Sequence, residues 1–187
     1  VVLTDVSVMY DDQIVNEPIN FIVEQGDRII LDGKNGSGKS SILKLILGNP
    51  IQHTGSVNLG SGLIISYVQQ DTSHLKGSLT DFIEEHEIDE TLFKSILRKM
   101  DFERIQFEKD ISNYSGGQKK KLLIAKSLCE KAHLYIWDEP LNFIDIYSRM
   151  QIEELIQQFN PTMVIVEHDK AFQQTVATKT ISIRYNQ

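Results

Sequence analysis

Apolar and polar positions change period several times along this chain, and each change predicts an element. Residues 2–8 and 19–23 alternate, with Asp11-Asp12-Gln13 between them, which predicts two strands joined through a turn. Residues 28–31 are a short apolar run that predicts a buried strand leading into Asp32-Gly33. Ile42, Leu43, Leu45, Ile46 and Leu47 give residues 40–47 a wide apolar helix face, which Gly48 and Pro50 stop. Residues 56–59 and 63–68 predict a hairpin around Gly60-Ser61-Gly62. Residues 80–100 are acidic and helical, with apolar positions at Phe82, Ile83, Leu92, Phe93, Ile96 and Leu97. A helix is predicted from Ser115 to about Glu130, and a strand over residues 134–137. Ile152, Leu155, Ile156 and Phe159 recur at helical spacing over residues 147–159. A strand over 162–166, a helix over 170–176 and a strand over 180–184 follow. Strands alternating with helices imply an α/β chain with a parallel sheet.

The 187 residues suit one domain, with residues 71–114 as a helical subdomain inserted between core segments 1–70 and 115–187. An apolar share of 41% is enough for a core. No run approaches the ~20 apolar residues of a membrane span, and no signal peptide pattern opens the chain. A chain that starts at Val1 is expected to be cut from a longer one. Cys129 is the single cysteine, so no internal disulfide can form, which suits a reducing compartment and a cytoplasmic location. A net charge of −7 makes the domain a poor nonspecific binder of nucleic acid.

Candidate chemistry enters with Gly33-Lys34-Asn35-Gly36-Ser37-Gly38-Lys39-Ser40, which fits the phosphate-loop pattern G-x-x-x-x-G-K-S without a mismatch. Its glycines let successive backbone N–H groups curl inward onto phosphates, and the helix behind adds partial positive charge. In this pattern Lys39 reaches the β- and γ-phosphates of ATP and the Ser40 hydroxyl ligates Mg²⁺. Gly60-Ser61-Gly62 has no lysine and no helix after it, and reads as a turn only. The apolar run 134–137 ends in Asp138-Glu139. Asp138 is placed to hold Mg²⁺, and Glu139 to polarise a water for attack on the γ-phosphate. Between loop and acids lies Ser115-Gly116-Gly117-Gln118, which offers a hydroxyl and open backbone N–H groups at a helix start, an anion site.

The ordered set of phosphate loop, Gln70, Ser115 to Gln118, Asp138-Glu139, Asp145 and His168 resembles the nucleotide-binding domain of ABC ATPases. The likeness runs from Tyr10 to His168. It implies a phosphate-loop ATPase with a mostly parallel sheet core, an antiparallel β subdomain and a helical insertion. It also implies that Tyr10 stacks on adenine, that Gln70 rather than its neighbour Gln69 meets Mg²⁺ and the attacking water, and that His168 contacts the γ-phosphate. Asp145 belongs to the loop that meets a partner domain. In this family the signature run faces the ATP held by a second ABC domain, tandem in one chain or in a homodimer, so each domain is incomplete alone. Tyr114, where leucine is usual, is expected to pack rather than touch nucleotide.

The run Glu139-Pro140-Leu141-Asn142-Phe143-Ile144-Asp145 is similar to the E-P-T-N-H-L-D run of the ABC-F proteins, and Glu167-His168-Asp169 with Phe172 also suits them. Leu141, Phe143 and Ile144 resemble the bacterial ABC-F antibiotic-resistance proteins that protect the ribosome. So do Lys119-Lys120-Lys121, residues 127–130 and residues 152–156. That resemblance implies the second, C-terminal nucleotide-binding domain of such a protein, with ribosome contact made by the parent chain. The alternative is the ATPase subunit of an ABC membrane transporter, which shares all the phosphate chemistry. Lys119-Lys120-Lys121 is expected to be a solvated helix face, since three consecutive residues cannot all face one rRNA partner. Trp137 and Cys129 are expected in the core.

Overall fold

Two sheets divide the strands, in a computed structural model that describes residues 1–186. The chain opens with β1 (Val2–Tyr10), β2 (Gln13–Ile14), β3 (Ile19–Ile22), β4 (Arg28–Asp32) and α1 (Lys39–Ile46). It continues through β5 (His53–Asn58), β6 (Ile65–Val68), α2 (Leu79–Glu85), α3 (Glu90–Lys99) and two 3-10 turns at Arg104–Glu108 and Ile111–Asn113. It closes with α4 (Gly116–Cys129), β7 (Leu134–Asp138), α5 (Ile146–Phe159), β8 (Met163–Val166), α6 (Lys170–Val176) and β9 (Lys179–Ser182).

β1 pairs antiparallel with β2, β3 and β5. The second sheet is parallel throughout, in the order β6-β7-β8-β4-β9. Its central strands β7, β8 and β4 are covered on both faces, which is why they read as continuous apolar runs rather than as alternation. Successive side chains of β4 feed different cores. Ile29 and Leu31 join Leu3, Val6, Ile42, Ile46 and Val164 on the side of α1 and the antiparallel sheet. Ile30 joins Val68, Trp137, Ile165, Phe93 and Leu122 on the other side. α2 and α3 add Phe82, Phe93, Ile96 and Leu97 to that second core, against Leu122 and Leu123 of α4. Tyr114 is buried edge-on to Phe102, and its hydroxyl donates to the Gln106 carbonyl at 2.7 Å. The fold is α/β, with a parallel sheet, an antiparallel sheet and helices.

Two expectations are corrected. The segments around Gly60-Ser61-Gly62 form no hairpin: β5 pairs with β1, and β6 pairs with β7 in the other sheet. β5, with its polar His53, Thr54, Ser56 and Asn58, suits a half-solvated sheet, whereas Ser66 and Val68 of β6 are buried beside β7. A glycine-rich turn fits either connection, so local sequence did not decide between them. The acidic helical stretch is two helices, broken where Glu87 turns left-handed (φ 51°) and Asp89 caps α3 through the Leu92 N–H. Second, Lys119-Lys120-Lys121 is no solvated face. Lys120 is 1% exposed and Lys121 is 8% exposed, with only Lys119 partly solvated. Lys121 reaches Asp145 at 2.9 Å and ties α4 to the start of α5. Cys129 is half-buried, and burial pushes its thiol up to about 12, so it stays protonated.

Trp137 is fully buried, and its indole N–H donates to the Ser127 hydroxyl at 2.9 Å. That hydroxyl also meets Ser66 at 2.6 Å, joining β7, α4 and β6. Ser127→Ala strands the indole N–H in the core, and is expected to cost about 1–3 kcal/mol in urea unfolding. Asp145 caps α5, accepting from the Ser148 N–H at 2.8 Å and from its hydroxyl at 2.7 Å. Burial raises its carboxyl, but the Ser148 and Lys121 bonds outweigh burial and hold it well below the usual range. A depressed folded pKa adds stability above the ordinary carboxylate value and loses it as pH falls. Asp145→Asn keeps the cap and removes the charge. It is expected to lower the urea midpoint at pH 7 by less than about 1 kcal/mol equivalent for this half-exposed pair. The gap should begin to narrow below about pH 4 and close as pH falls further, through the lowered pKa of the folded state.

Candidate nucleotide-binding and catalytic site

The carboxyl ends of β4, β7 and β8 meet at one edge, because Val166 is in register with both Leu31 and Asp138. Ligand sites in open α/β sheets lie outside such an edge. β4 runs into the loop Gly33 to Gly38, and α1 begins at Lys39. Gly36 and Gly38 hold φ of 81° and 92°, which disfavours any side chain there. A Cβ on Gly33 would stand 2.4 Å from the Ile183 carbonyl and 2.8 Å from Ser37 Oγ. Lys39 is 6% exposed and folds across the loop, with Nζ donating to the Gly33 and Lys34 carbonyls at 2.8 and 2.9 Å. Burial pushes its ammonium pKa down, while Glu139, Asp32 and Asp138 pull it up. Ser37 Oγ is buried with no hydrogen-bond partner among the described residues. Asn35 accepts from the Tyr185 hydroxyl through its carbonyl.

Asp138, at 3% exposure, accepts from the Ser40 hydroxyl at 3.2 Å. Burial pushes its carboxyl up against the pull of Ser40, and Glu139 adds to the push. Glu139 sits in the left-handed region at φ 47°, while its N–H completes the ladder to the Val166 carbonyl at 2.8 Å. Its Oε2 accepts from Gln70 Nε2 and Asn142 Nδ2, each at 2.8 Å. His168 Nε2 lies 3.6 Å from its Oε1. Gln70, Glu139 and His168, read separately from sequence, thus share one carboxylate. Asn142 belongs there too, and so does Glu167, which sequence reasoning did not single out as site residues. Glu167, 5% exposed, accepts from the Leu141, His168 and Asp169 N–H groups at 3.1, 2.7 and 3.3 Å. It joins the loop after β7 to the loop after β8. The signal for Asn142 was its place inside the Glu139 to Asp145 run, and that for Glu167 its place in the Glu167-His168-Asp169 run, though neither run marked it as a site residue.

The remaining candidates lie around this centre. Tyr10 ends β1, half-exposed, with its hydroxyl bonded to Ser41 beside the phosphate loop. Ser115 caps α4: its hydroxyl accepts from the Gln118 N–H at 3.2 Å, and Gln118 Oε1 accepts from the Ser115 N–H at 2.9 Å. A Cβ on Gly117 would stand 2.4 Å from the Phe143 carbonyl, and one on Gly116 3.3 Å from the Phe143 ring. The two glycines therefore admit the Phe143 loop. Among the described residues no hydrogen bond joins the signature run to the phosphate loop. Asp145, engaged by Ser148 and Lys121, is likewise apart from the cradle.

The residues present fit a polyphosphate with a hard dication. The loop offers inward backbone donors and a buried lysine, the orphaned Ser37 hydroxyl awaits a partner, and Ser40 with Asp138 supplies an all-oxygen donor pair. Ser40 and Asp138 could hold Mg²⁺, and Glu139 is a carboxylate oriented on one oxygen with the other open beside His168.

The family described as ABC transporter matches residues 16–142. The chain is 29% identical over 93% of its length to the "ATP-binding protein Uup" of Caulobacter vibrioides. It is 29% identical over 94% to "ABC transporter F family member 2" of Arabidopsis thaliana, and 30% identical over 89% to the "Ribosome protection protein VmlR" of Bacillus subtilis. It spans 30%, 27% and 31% of those proteins. Among solved structures, the ATP binding subunit of an ABC transporter superposes with a TM-score of 0.80 at 22% identity, covering 98% of this chain and 85% of that one. An archaeal ribosome recycling factor, solved with a ribosomal stalk protein, gives 0.80 at 20% identity, covering 99% of this chain and 38% of that one. These two likenesses show the fold. With its phosphate loop, signature run and acidic strand end in one frame, the chain belongs to the ABC transporter family, as an ATP-hydrolysing ABC domain.

Proposed function

We propose that this chain is the C-terminal nucleotide-binding domain of a cytoplasmic ABC-F protein that acts on the ribosome and confers antibiotic resistance by protecting it. The observation that carries this reading is the Glu139 to Asp145 run, with Asn142 bonded to Glu139, in a chain similar to ABC-F proteins and to a ribosome protection protein. Among the described residues no helix is long and apolar enough to cross a membrane. In this reading residues 71–114 form the helical subdomain and the rest the core.

At the site, the N–H groups of Gly33 to Ser40, with Asn35, Gly36, Ser37 and Gly38 among them, cradle the ATP phosphates. Lys39 exchanges its two carbonyl partners for β- and γ-phosphate oxygens. Tyr10 stacks on adenine. Ser40, Asp138 and Gln70 would hold Mg²⁺, which would supply charge neutralisation at the ATP phosphates. Glu139 takes the proton of the attacking water on its open oxygen, while Gln70 and Asn142 fix the other oxygen. His168 contacts the γ-phosphate. In this reading a second ABC domain completes the γ-phosphate site through its own signature run. Reciprocally, Ser115, Gly116, Gly117 and Gln118 meet the partner's ATP, and the Asp145 loop meets the partner's surface.

In the full-length protein, Glu139→Gln is expected to keep ATP binding and lower hydrolysis by about 10²–10⁴-fold, trapping the closed state. That variant should co-sediment with ribosomes in ATP. Hydrolysis near the unmutated rate would remove Glu139 as the base, and absence from the ribosome pellet would remove the ribosomal reading. For the isolated domain, the ATPase rate per molecule is expected to rise with protein concentration. A rate that is high and flat on dilution contradicts the shared site.

A further inference from the structure

Lys120 has no role in the chemistry above, yet it is the most completely buried charged side chain in the core, at 1% exposure. Lysine is almost never fully buried without a partner. Among the described residues no carboxylate oxygen lies within salt-bridge distance of it. Its Nζ instead donates to two consecutive backbone carbonyls, Gln69 at 2.9 Å and Gln70 at 3.0 Å. Burial pushes its ammonium pKa down, and the negative charges of Asp138, Glu139, Glu167 and Asp71 offset part of that cost. An apolar side chain would fill such a position without that cost, so packing alone does not account for an ammonium here.

The two bonds fix two successive peptide groups of the segment that leaves β6, and so set the direction of the Gln70 side chain. That side chain is the one that reaches Glu139 at 2.8 Å. Lys120 itself lies two residues past Gln118, on the helix that Ser115 caps. One rigid element therefore presents the signature run at its tip and holds the Gln70 loop one turn further in. Loosening that clamp leaves the phosphate loop and Lys39 untouched, since Lys120 donates to neither.

We propose that Lys120 is a positioning residue for ATP hydrolysis: it locks the Gln70 loop to the signature helix, so that Gln70 is delivered to Glu139 and any shift of Ser115 on meeting a partner's nucleotide is transmitted to it. This rests on the reading of Gln70 and Glu139 given above.

The test is a double-mutant cycle in the full-length protein, with Lys120→Met, Gln70→Ala and the pair, read by steady-state ATPase kinetics and by ATP binding. A misplacement of about 1 Å at a reacting group costs on the order of 10²-fold. Lys120→Met is therefore expected to lower kcat roughly 10- to 100-fold, with KM and ATP affinity changed less than about three-fold. Because Lys120 acts through Gln70, the double variant should be no slower than Gln70→Ala alone. Lys120→Gln keeps an N–H donor on a shorter arm and should recover part of kcat, a rescue that a packing role would not give. If Lys120→Met does not fold, Lys120→Gln carries the same cycle. Full kcat in Lys120→Met beside a slow Gln70→Ala, or effects that add in the pair, overturns the proposal and leaves the Gln70 reading standing. Full kcat in Gln70→Ala overturns both, and shows that the failure lies in the Gln70 reading.

Discussion

The parallel register of β4, β8 and β7 is the constraint on which the site depends. β8 lies between the strand that feeds the phosphate loop and the strand that ends in the acids, and Val166 is its shared reference point. From that alignment Ser40 meets Asp138, Glu139 closes the ladder onto the Val166 carbonyl, and Glu167 reaches back to the Leu141 N–H. Side chains alternate along a strand, so a slip of one residue would turn Asp138 away from Ser40 and bury Glu139 in the other face. The apolar runs of these strands are thus the means by which three loops far apart in sequence arrive at one edge.

The same edge concentrates features that a stable core would avoid. Glu139 holds a left-handed backbone, which costs a residue with a Cβ about 1–2 kcal/mol. Asp138, Glu167, Lys39 and Lys120 are all buried ionisable groups within one region. Each is tolerated because it is bonded: Asp138 to Ser40, Glu167 to three N–H groups, and each lysine to two carbonyls. Strain and buried charge persist where surrounding structure over-determines them, and such places cluster at functional sites. The two lysines act alike, each clamping consecutive carbonyls, one in the loop before α1 and one in the loop after β6.

Much of this was legible in the chain itself. The phosphate loop announces itself by spacing, because its glycines and lysine must occupy fixed positions for the backbone to curl. The buried strands show as unbroken apolar runs. Pairing was not legible: β5 and β6 are close in sequence and carry a turn between them, but their partners, β1 and β7, are set by burial over the whole fold. The fate of Lys120 and Lys121 was hidden for the same reason. Three lysines in a row look solvated until α4 is seen to pass beneath the loop after β6 and beside Asp145. Asp145 reads as a loop acid, whereas its carboxylate is engaged as a helix cap and an ion-pair partner.

The position of β4 bears on how the chain is made. Its two neighbours in the sheet are β8 and β9, both drawn from the last part of the sequence. During synthesis the strand that carries the phosphate loop emerges before either neighbour. Its β8 edge stays open until residues through Val166 have emerged and its β9 edge until Ser182, an interval on the order of ten seconds at roughly 5–20 residues per second. Until then Ile29, Ile30 and Leu31, fully buried in the folded chain, lack the β8 and β9 partners that cover them.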